Sequence, residues 1–463
     1  MKESDEMACD PNTPPLRYTR IELTNPMAGG KHYRLGADDE LLKETVGWLS
    51  AGRAFVDEAT DMTDFATVLN TELRAGRDVL TYGIPTIDTP DDGVPLVTKE
   101  RVTPGTIARS EDHFTWPEGP AILAADYDPR TDRTALSRDE LWRQVVTAVP
   151  GYAEHDVLWG CSSSSYIFDT GFDCEVVGLK GQRLYMGVED GTDIPRAADV
   201  LLKRLWLNGF GYILISASGA QLIRATLDPC MYQPSRLDYA SGAVCGEGLE
   251  QRRPDAFLIS EGLALADTRR VFPDLTSDEE REYAERVARE IARTRDGAHA
   301  QREVWANERL EVEAHTALGV AATPRAVAAH VTDATQRGRR KDLLDMIETE
   351  HTVLGSDFVL HLSDGQLVTV GDVLIHPSAY DKAKTHDPLE PDYRGGAITG
   401  MIFAYGRRLT SHAHGKVRKY ILGTDAEYRD VFARRFDALR KLPRRDQDTR
   451  EARIARMMET RLK

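Results

Sequence analysis

Apolar and polar positions along this chain alternate between two textures, short runs of strand length and longer stretches at helical spacing. Residues 121–125 read Ala-Ile-Leu-Ala-Ala, an apolar run that predicts a buried strand and ends in Asp126-Tyr127-Asp128. After it the spacing predicts a helix over Ser137–Val149 with Ser137 as its N-cap, then an alternating strand over Gln182–Val188. Ile194–Leu207 has amphipathic spacing with Pro195 in its first turn, and so predicts a second helix. Strands over Tyr212–Ser216 and Gln221–Leu227 follow, joined by the turn residues Ala217-Ser218-Gly219-Ala220. Strand, helix, strand, helix, strand, strand describes an α+β sheet domain.

The flanks differ. Residues 1–30 are rich in Pro, Asn, Asp and Gly and predict a flexible or extended N-terminus. From Asp38 to Leu73 the apolar spacing predicts two or three amphipathic helices, one of them over Asp39–Leu49. Residues 80–120 read as loops between short strands, punctuated by Pro85, Pro90, Gly93, Pro95, Pro104 and Gly105. Past residue 265 the texture turns to Glu, Arg and Ala. Thr276–Leu318 predicts a long helix whose charges form a solvated face of i to i+4 pairs, and Ala322–Glu350 predicts further helices. Residues 356–424 return to short strands and turns. The expected division is a flexible N-terminus (1–30), a central sheet domain (31–265), a helical region (266–350), a small β-rich domain (351–424) and a basic helical tail (425–463).

Composition narrows the function classes. A chain of 463 residues with a formal charge of −16 is not coated with nucleic-acid-binding charge, so any polyanion site must be local. Two local excesses of positive charge qualify. One is Gln336–Lys341, with Arg337, Arg339, Arg340 and Lys341. The other is Arg434–Lys463, with eleven Lys and Arg against five Asp and Glu, including Arg444 and Arg445. A solvated basic helix explains the second equally well. The five cysteines, Cys9, Cys161, Cys174, Cys230 and Cys245, form no C-x-x-C pair, which excludes a zinc ribbon and a disulfide framework and fits free thiols in a reducing cytosol. No run approaches 18 apolar residues and the N-terminus is polar, so the expectation is a soluble cytoplasmic protein without a membrane partner. No Gly-x-x-x-x-Gly-Lys-Ser/Thr is present, which excludes a P-loop ATPase or helicase.

Chemistry enters at the end of the 121–125 run. Strand alternation sends Asp126 and Asp128 to the same side, where two carboxylates repel unless a cation lies between them. Asp228, at the end of the strand that carries Leu222–Leu227, is a third candidate ligand. An all-oxygen acidic set without neighbouring Cys or His suits magnesium or manganese, and phosphoryl transfer from a nucleoside triphosphate uses two such ions. Ser163 and Ser165 in the loop Ser162-Ser163-Ser164-Ser165, together with Arg183, Arg224 and Arg236, are candidate donors to phosphate oxygens.

These residues carry a resemblance. The segment Ala121–Val244 resembles the archaeo-eukaryotic primase superfamily, and within it the bifunctional primase-polymerases of plasmids, prophages and integrated elements. Asp126-Tyr127-Asp128 looks like that superfamily's first motif, and Asp228 in Arg224-Ala225-Thr226-Leu227-Asp228 like the third-motif acid. Gly181–Met186, Lys203–Gly211 and Ser235–Ala243 fit the intervening and following pattern. The resemblance implies a primase-polymerase catalytic domain with an RRM-like sheet, Asp126, Asp128 and Asp228 as catalytic metal ligands, and a primer-making or DNA-extending activity on a single-stranded DNA template during mobile-element replication. With no helicase motif in this chain, unwinding would fall to a separate helicase. In such enzymes the second motif carries a histidine that contacts the nucleotide's phosphates. Here Arg183 stands in that place, and no histidine occurs between His155 and His299. Arginine is a permanent cation with a planar donor fork, so it can hold a triphosphate but cannot titrate near neutrality. Mobile-element primases also carry a unit like Asp372–Pro377, Asp387–Tyr393 and Ser411–Gly415 after the catalytic domain.

Two rival readings remain open. If His412-Ala413-His414 alternates along a strand, its imidazoles share one face, and Tyr428 on a following helix completes the outline of a His-hydrophobic-His rolling-circle nuclease. His376 and His386 with Asp387 would alternatively form a structural metal site. The Arg183 departure motivates the other rival, a catalytically weakened origin-binding or replication scaffold protein.

Overall fold

Five apolar positions in a row, Ala121–Ala125, allow a strand to be covered on both faces, and every residue of Ala121–Tyr127 is buried. The computed structural model describes residues 14–25, 30–36, 38, 40–46, 49, 51–129, 134–348, 352–415 and 417–440. The chain is mixed α+β and divides into two compact units, residues 1–213 with 223–292, and residues 214–222 with 293–463.

In the first unit Ala121–Tyr127 lies inside a nine-stranded mixed sheet. Its order is Phe257–Ser260, Val157–Cys161, Gln182–Val188, Ala121–Tyr127, Leu16–Leu23, Ala51–Ala59, Val94–Val97 and Ile107–Ala108, with Asp78–Thr81 also paired to Leu16–Leu23. The helices Arg138–Ala148 and Ile194–Leu207 bury Leu141, Val145, Ala197, Leu201 and Leu205 in one core with Leu123, Leu158 and Met186. Each fully buried leucine or valine contributes roughly 1.5–3 kcal/mol from apolar area removed from water. Ser137 starts its helix through a reciprocal capping box with Glu140, worth about 1 kcal/mol, and Pro195 occupies the first turn of the next.

Two N-terminal expectations need correction. Leu16–Leu23, within the segment expected to be flexible, is a largely buried strand with three strand partners, antiparallel to Ala51–Ala59 and Asp78–Thr81 and parallel to Ala121–Tyr127. The predicted helix over Asp39–Leu49 is replaced by the strand Leu41–Val46, antiparallel to Gly30–Leu35 in the register Gly30↔Val46 to Leu35↔Leu41. The physical reason is common to both. Backbone groups of these segments are satisfied by distant strands, and that pairing outweighs composition and local helical spacing. Among the described residues between Asp38 and Leu73 helical structure begins at Met62–Thr67, where Asp61 accepts hydrogen bonds from the Thr63 and Asp64 amides.

The second unit contains the tip of the hairpin formed by Gly211–Ile215 and Gln221–Ala225, and the chain from Arg293 onward. The predicted long helix is Ser277–Leu318, followed by Pro324–Gln336 and Arg339–Glu348. A five-stranded sheet orders Thr352–Leu354, Arg418–Leu422, Arg408–Ser411, Ile398–Phe403 and Lys384–His386. Trp305 and Leu310 of the long helix share a core with Leu343, Phe358, Leu374, Ile402 and Tyr420. The helical and β-rich regions expected as separate parts therefore bury one another's apolar faces from Arg293 onward. Among the described residues no helix is long and apolar enough to cross a membrane.

Candidate metal centre

Asp126 is the second-to-last residue of the Ala121–Tyr127 strand and Asp128 follows it by two, so period-two alternation brings both to one side. Asp228 arrives by a single backbone bridge. Its N–H donates to the Asp126 carbonyl at 2.7 Å, an isolated antiparallel pairing that sets the third carboxylate beside the first. One oxygen from each of the three lies within 4.8 Å of the others, with Asp126 buried, Asp228 half-buried and Asp128 exposed. Two carboxylates at such a separation repel by about 3 kcal/mol at an effective dielectric of about 20. Burial first, then the charges of Asp128, Asp228 and Asp238, push the Asp126 carboxyl up to about 7, against the opposing pull of Arg183. Hard oxygen donors at this spacing suit magnesium or manganese. A second sign of fit is the Tyr232 hydroxyl, buried without a hydrogen-bond partner and raised by burial and by Tyr152, Asp228 and Asp126.

Arg183 faces Asp126 directly across the antiparallel pair. Its guanidinium bonds the Asp126 carboxylate and donates from Nε to Asp238 Oδ1 at 3.3 Å. Asp238 also accepts from the Tyr82 hydroxyl at 2.7 Å and the Tyr185 hydroxyl at 3.0 Å, so a buried aromatic wall fixes the pair. The arginine expected to grip a triphosphate is thus engaged by two carboxylates of the protein.

The serine loop borders the same site. Gly181 lacks a side chain where a Cβ would stand 2.6 Å from Ser162 Oγ and 3.2 Å from Asp128 Oδ1, so the loop and the carboxylate edge approach closely only because it is glycine. Ser165, expected as a phosphate donor, is spent inside the loop, donating to the Gly181 carbonyl at 3.2 Å and accepting from the Lys180 amide at 3.0 Å. Ser163 is buried beside it. Lys31 Nζ donates to Ser164 Oγ at 3.1 Å, and Ser164 in turn bonds Ser162 at 2.8 Å. Burial lowers Lys31 to about 8, with Asp128 opposing the shift.

Other expected residues sit elsewhere. Arg224 donates to the carbonyl of Ile223 on its own strand at 3.1 Å. In the basic cluster the charges are met internally, Arg337 by Asp333 at 3.1 Å, Arg339 by Glu313 at 2.6 Å, Lys341 by Asp345 at 2.8 Å and Arg340 by Glu303. Arg339 and Arg340 reach acids of the long helix, whereas Arg337 and Lys341 pair i to i+4 on their own helices and stay exposed. Arg444 and Arg445 lie outside the described residues. His412 and His414 do not alternate on a strand. Arg408–Ser411 ends before them, His414 has φ +56° in the turn Ala413–Gly415, and its Nε2 meets Glu390 at 2.9 Å. Tyr428 lies under the Arg407 guanidinium, 4.3 Å from its ring centre. Asp387 accepts from the Leu389 and Glu390 amides and the Ser411 hydroxyl and so closes a loop, and among the described residues it is not grouped with His376 and His386 at metal-ligand spacing.

Sequence reasoning missed Lys31 and Asp238. Asp238 stands within the noted segment Ser235–Ala243, where an acid between Leu237 and Tyr239 was the available signal. Nothing local marks Lys31, which reaches the site through the strand Gly30–Leu35 pairing in parallel with Val244–Cys245. No family model, curated protein or solved structure matches this chain.

Proposed function

We propose that this chain is a metal-dependent nucleotidyltransferase, a DNA primase-polymerase of the archaeo-eukaryotic primase type whose RRM-like core lies within the nine-stranded sheet. The observation that carries the reading is the convergence of Asp126, Asp128 and Asp228 to within 4.8 Å beside the half-buried Lys31 and a serine loop. The reaction is attack of a 3′-hydroxyl on the α-phosphorus of a nucleoside triphosphate, with pyrophosphate leaving. Magnesium or manganese held by the three aspartates, as two ions, would neutralise the triphosphate and activate the attacking oxygen.

This chain's own groups then have separable tasks. Lys31 Nζ, hydrogen-bonded to Ser164, offers a cation to phosphate oxygens entering beside Asp128. Asp238, held by Tyr82 and Tyr185, positions Arg183, and Arg183 positions Asp126. Single-stranded DNA as template, a separate helicase and a cytoplasmic setting belong to the same proposal. Primer synthesis on single-stranded DNA with labelled nucleotides and magnesium or manganese tests it, comparing wild type with Asp126→Ala and Asp228→Ala. Wild-type synthesis lost in both variants supports the proposal; absence of product from wild type sinks it.

A second reading has one observation in its favour. Arg183 is bound by Asp126 and Asp238, which suits a protein that retains the fold and has lost turnover, serving as an origin-binding or replication scaffold. DNA binding without synthesis by wild type would select it.

A further inference from the structure

We propose that the second unit positions Asp228, by clasping the tip of the hairpin whose outgoing strand leads into that residue, and so sets how tightly the aspartate cluster holds a divalent ion. The hairpin pairs Gly211–Ile215 with Gln221–Ala225 as a two-stranded sheet of its own, and Asp228 follows shortly after Ala225. Asp126 and Asp128, by contrast, lie on or just beyond a strand inside the nine-stranded sheet. Asp228 joins them through one isolated bridge, the 2.7 Å bond from its N–H to the Asp126 carbonyl. A lone two-stranded hairpin is marginal in water, so whatever holds this one decides where its end lies.

The tip, Ser216–Ala220, belongs to the second unit, and side chains of that unit take its backbone groups. The Ser218 N–H donates to Glu390 Oε1 at 2.9 Å, Gln301 Nε2 donates to the Ala217 carbonyl at 2.8 Å, and Arg302 Nε donates to the Gly219 carbonyl at 2.9 Å. Next to the tip, Gln221 Nε2 donates to Thr294 Oγ1 at 2.7 Å. Glu390 is itself fixed, because His414 Nε2 meets its other oxygen at 2.9 Å. A buried carboxylate that accepts from an amide forms a charge-assisted bond, roughly twice as strong as a neutral one. Gly219 completes the clasp. It has φ +78°, and a Cβ there would stand 2.4 Å from Arg302 Cγ and 2.7 Å from the Ala298 carbonyl oxygen, so the turn lies against the long helix only because it is glycine.

Chain continuity ties this clasp to the carboxylates. At the far end of the outgoing strand the Thr226 N–H donates to the Phe210 carbonyl at 3.1 Å, and its hydroxyl donates to Gln144 Oε1 at 2.6 Å. The strand Gln221–Ala225 is therefore held at both ends, which fixes the direction in which Leu227 and Asp228 leave it. Release of the tip leaves one point of attachment, and the strand pivots about Thr226. A small hard cation demands near-ideal placement of its oxygen ligands, so a modest displacement of Asp228 weakens binding without touching Asp126 or Asp128. The effect on ion affinity rests on the metal-centre reading; the hold on the Asp228 backbone does not.

The test uses the full chain and two readouts, native-state hydrogen exchange of the Asp228 amide in chelator and manganese affinity by isothermal titration. Wild type is compared with Gly219→Ala, Glu390→Ala, Glu390→Gln and Ile402→Val. The first forces the tip off the long helix, the second removes the acceptor of the Ser218 amide, and the third keeps an oxygen for it. Ile402→Val loosens the core of the second unit and leaves every bond of the tip in place. The expected result for Gly219→Ala and Glu390→Ala is a loss of about tenfold or more in Asp228 protection and about fivefold or more in manganese affinity. Glu390→Gln and Ile402→Val should change each by less than about twofold. Both quantities unchanged in Gly219→Ala and Glu390→Ala, or lowered as much by Ile402→Val, overturns the proposal. If wild type binds no manganese, the metal-centre reading falls and exchange decides the clasp alone: protection lost only in the two clasp variants upholds it, and protection retained in them discards it.

Discussion

Replacing Arg183 by Met keeps an unbranched side chain of similar reach while removing the guanidinium that Asp126 and Asp238 share. The Asp238 side chain is 1% exposed and that of Asp126 12%, so neither carboxylate recovers much solvation when the cation is gone. Breaking a buried pair by deleting one partner costs about 3–5 kcal/mol. The lower figure applies near neutrality, because Asp126 already titrates at about 7 and can take a proton. At pH 8 without metal, the expected loss is about 3 kcal/mol, a roughly hundredfold drop in hydrogen-exchange protection across Ala121–Tyr127 and Gln182–Val188. Native-state exchange read by mass spectrometry suits this chain, since two compact units make a single global unfolding energy ill-defined. Manganese should restore part of the protection, because an ion on Asp126 replaces one of the two lost contacts and leaves Asp238 unpaired. Protection reduced less than threefold at pH 8, or identical loss with and without manganese, would refute this account.

Three further outcomes are expected. Manganese affinity should fall as pH drops through about 7, since the ion requires ionised Asp126, and reach a plateau above it; isothermal titration at pH 6, 7 and 8 giving equal affinity contradicts the charge balance described for the cluster. Gly181→Ala forces a Cβ to within 2.6 Å of Ser162 Oγ and 3.2 Å of Asp128 Oδ1, and should lower stability by about 1–3 kcal/mol and weaken manganese binding about tenfold; unchanged melting and titration curves would argue against the close approach. In the second unit, burial works to raise Glu390, but the His414 imidazole and the Ser216 and Ser218 groups hold it down at about 2. Its contribution of about 3 kcal/mol is present above pH 4.5 and lost as pH falls toward 2, so acid unfolding of Glu390→Gln should lack that component.

Elements whose signal is local were legible in the amino-acid order. Most of the strand Ala121–Tyr127 is marked by the unbroken apolar run Ala121–Ala125, the Ser137 and Pro195 helix starts by capping chemistry, and Ser277–Leu318 by length and charge spacing. The same holds for Asp126 and Asp128, whose common side follows from the period of a strand. Asp228 was named from its place in a pattern, yet its distance from Asp126 depends on one backbone bridge between remote segments. What only the tertiary structure decided is partnership. Leu16–Leu23 and Leu41–Val46 are strands because distant strands take their backbone hydrogen bonds, and no periodicity within either segment encodes that. Charge followed the same rule. Arg339 and Arg340 met carboxylates on a packed helix, and Arg183 met Asp126 and Asp238 across the sheet. A sequence specifies which side chains carry charge; long-range packing determines which of those charges are already answered inside the protein and which are left for a ligand.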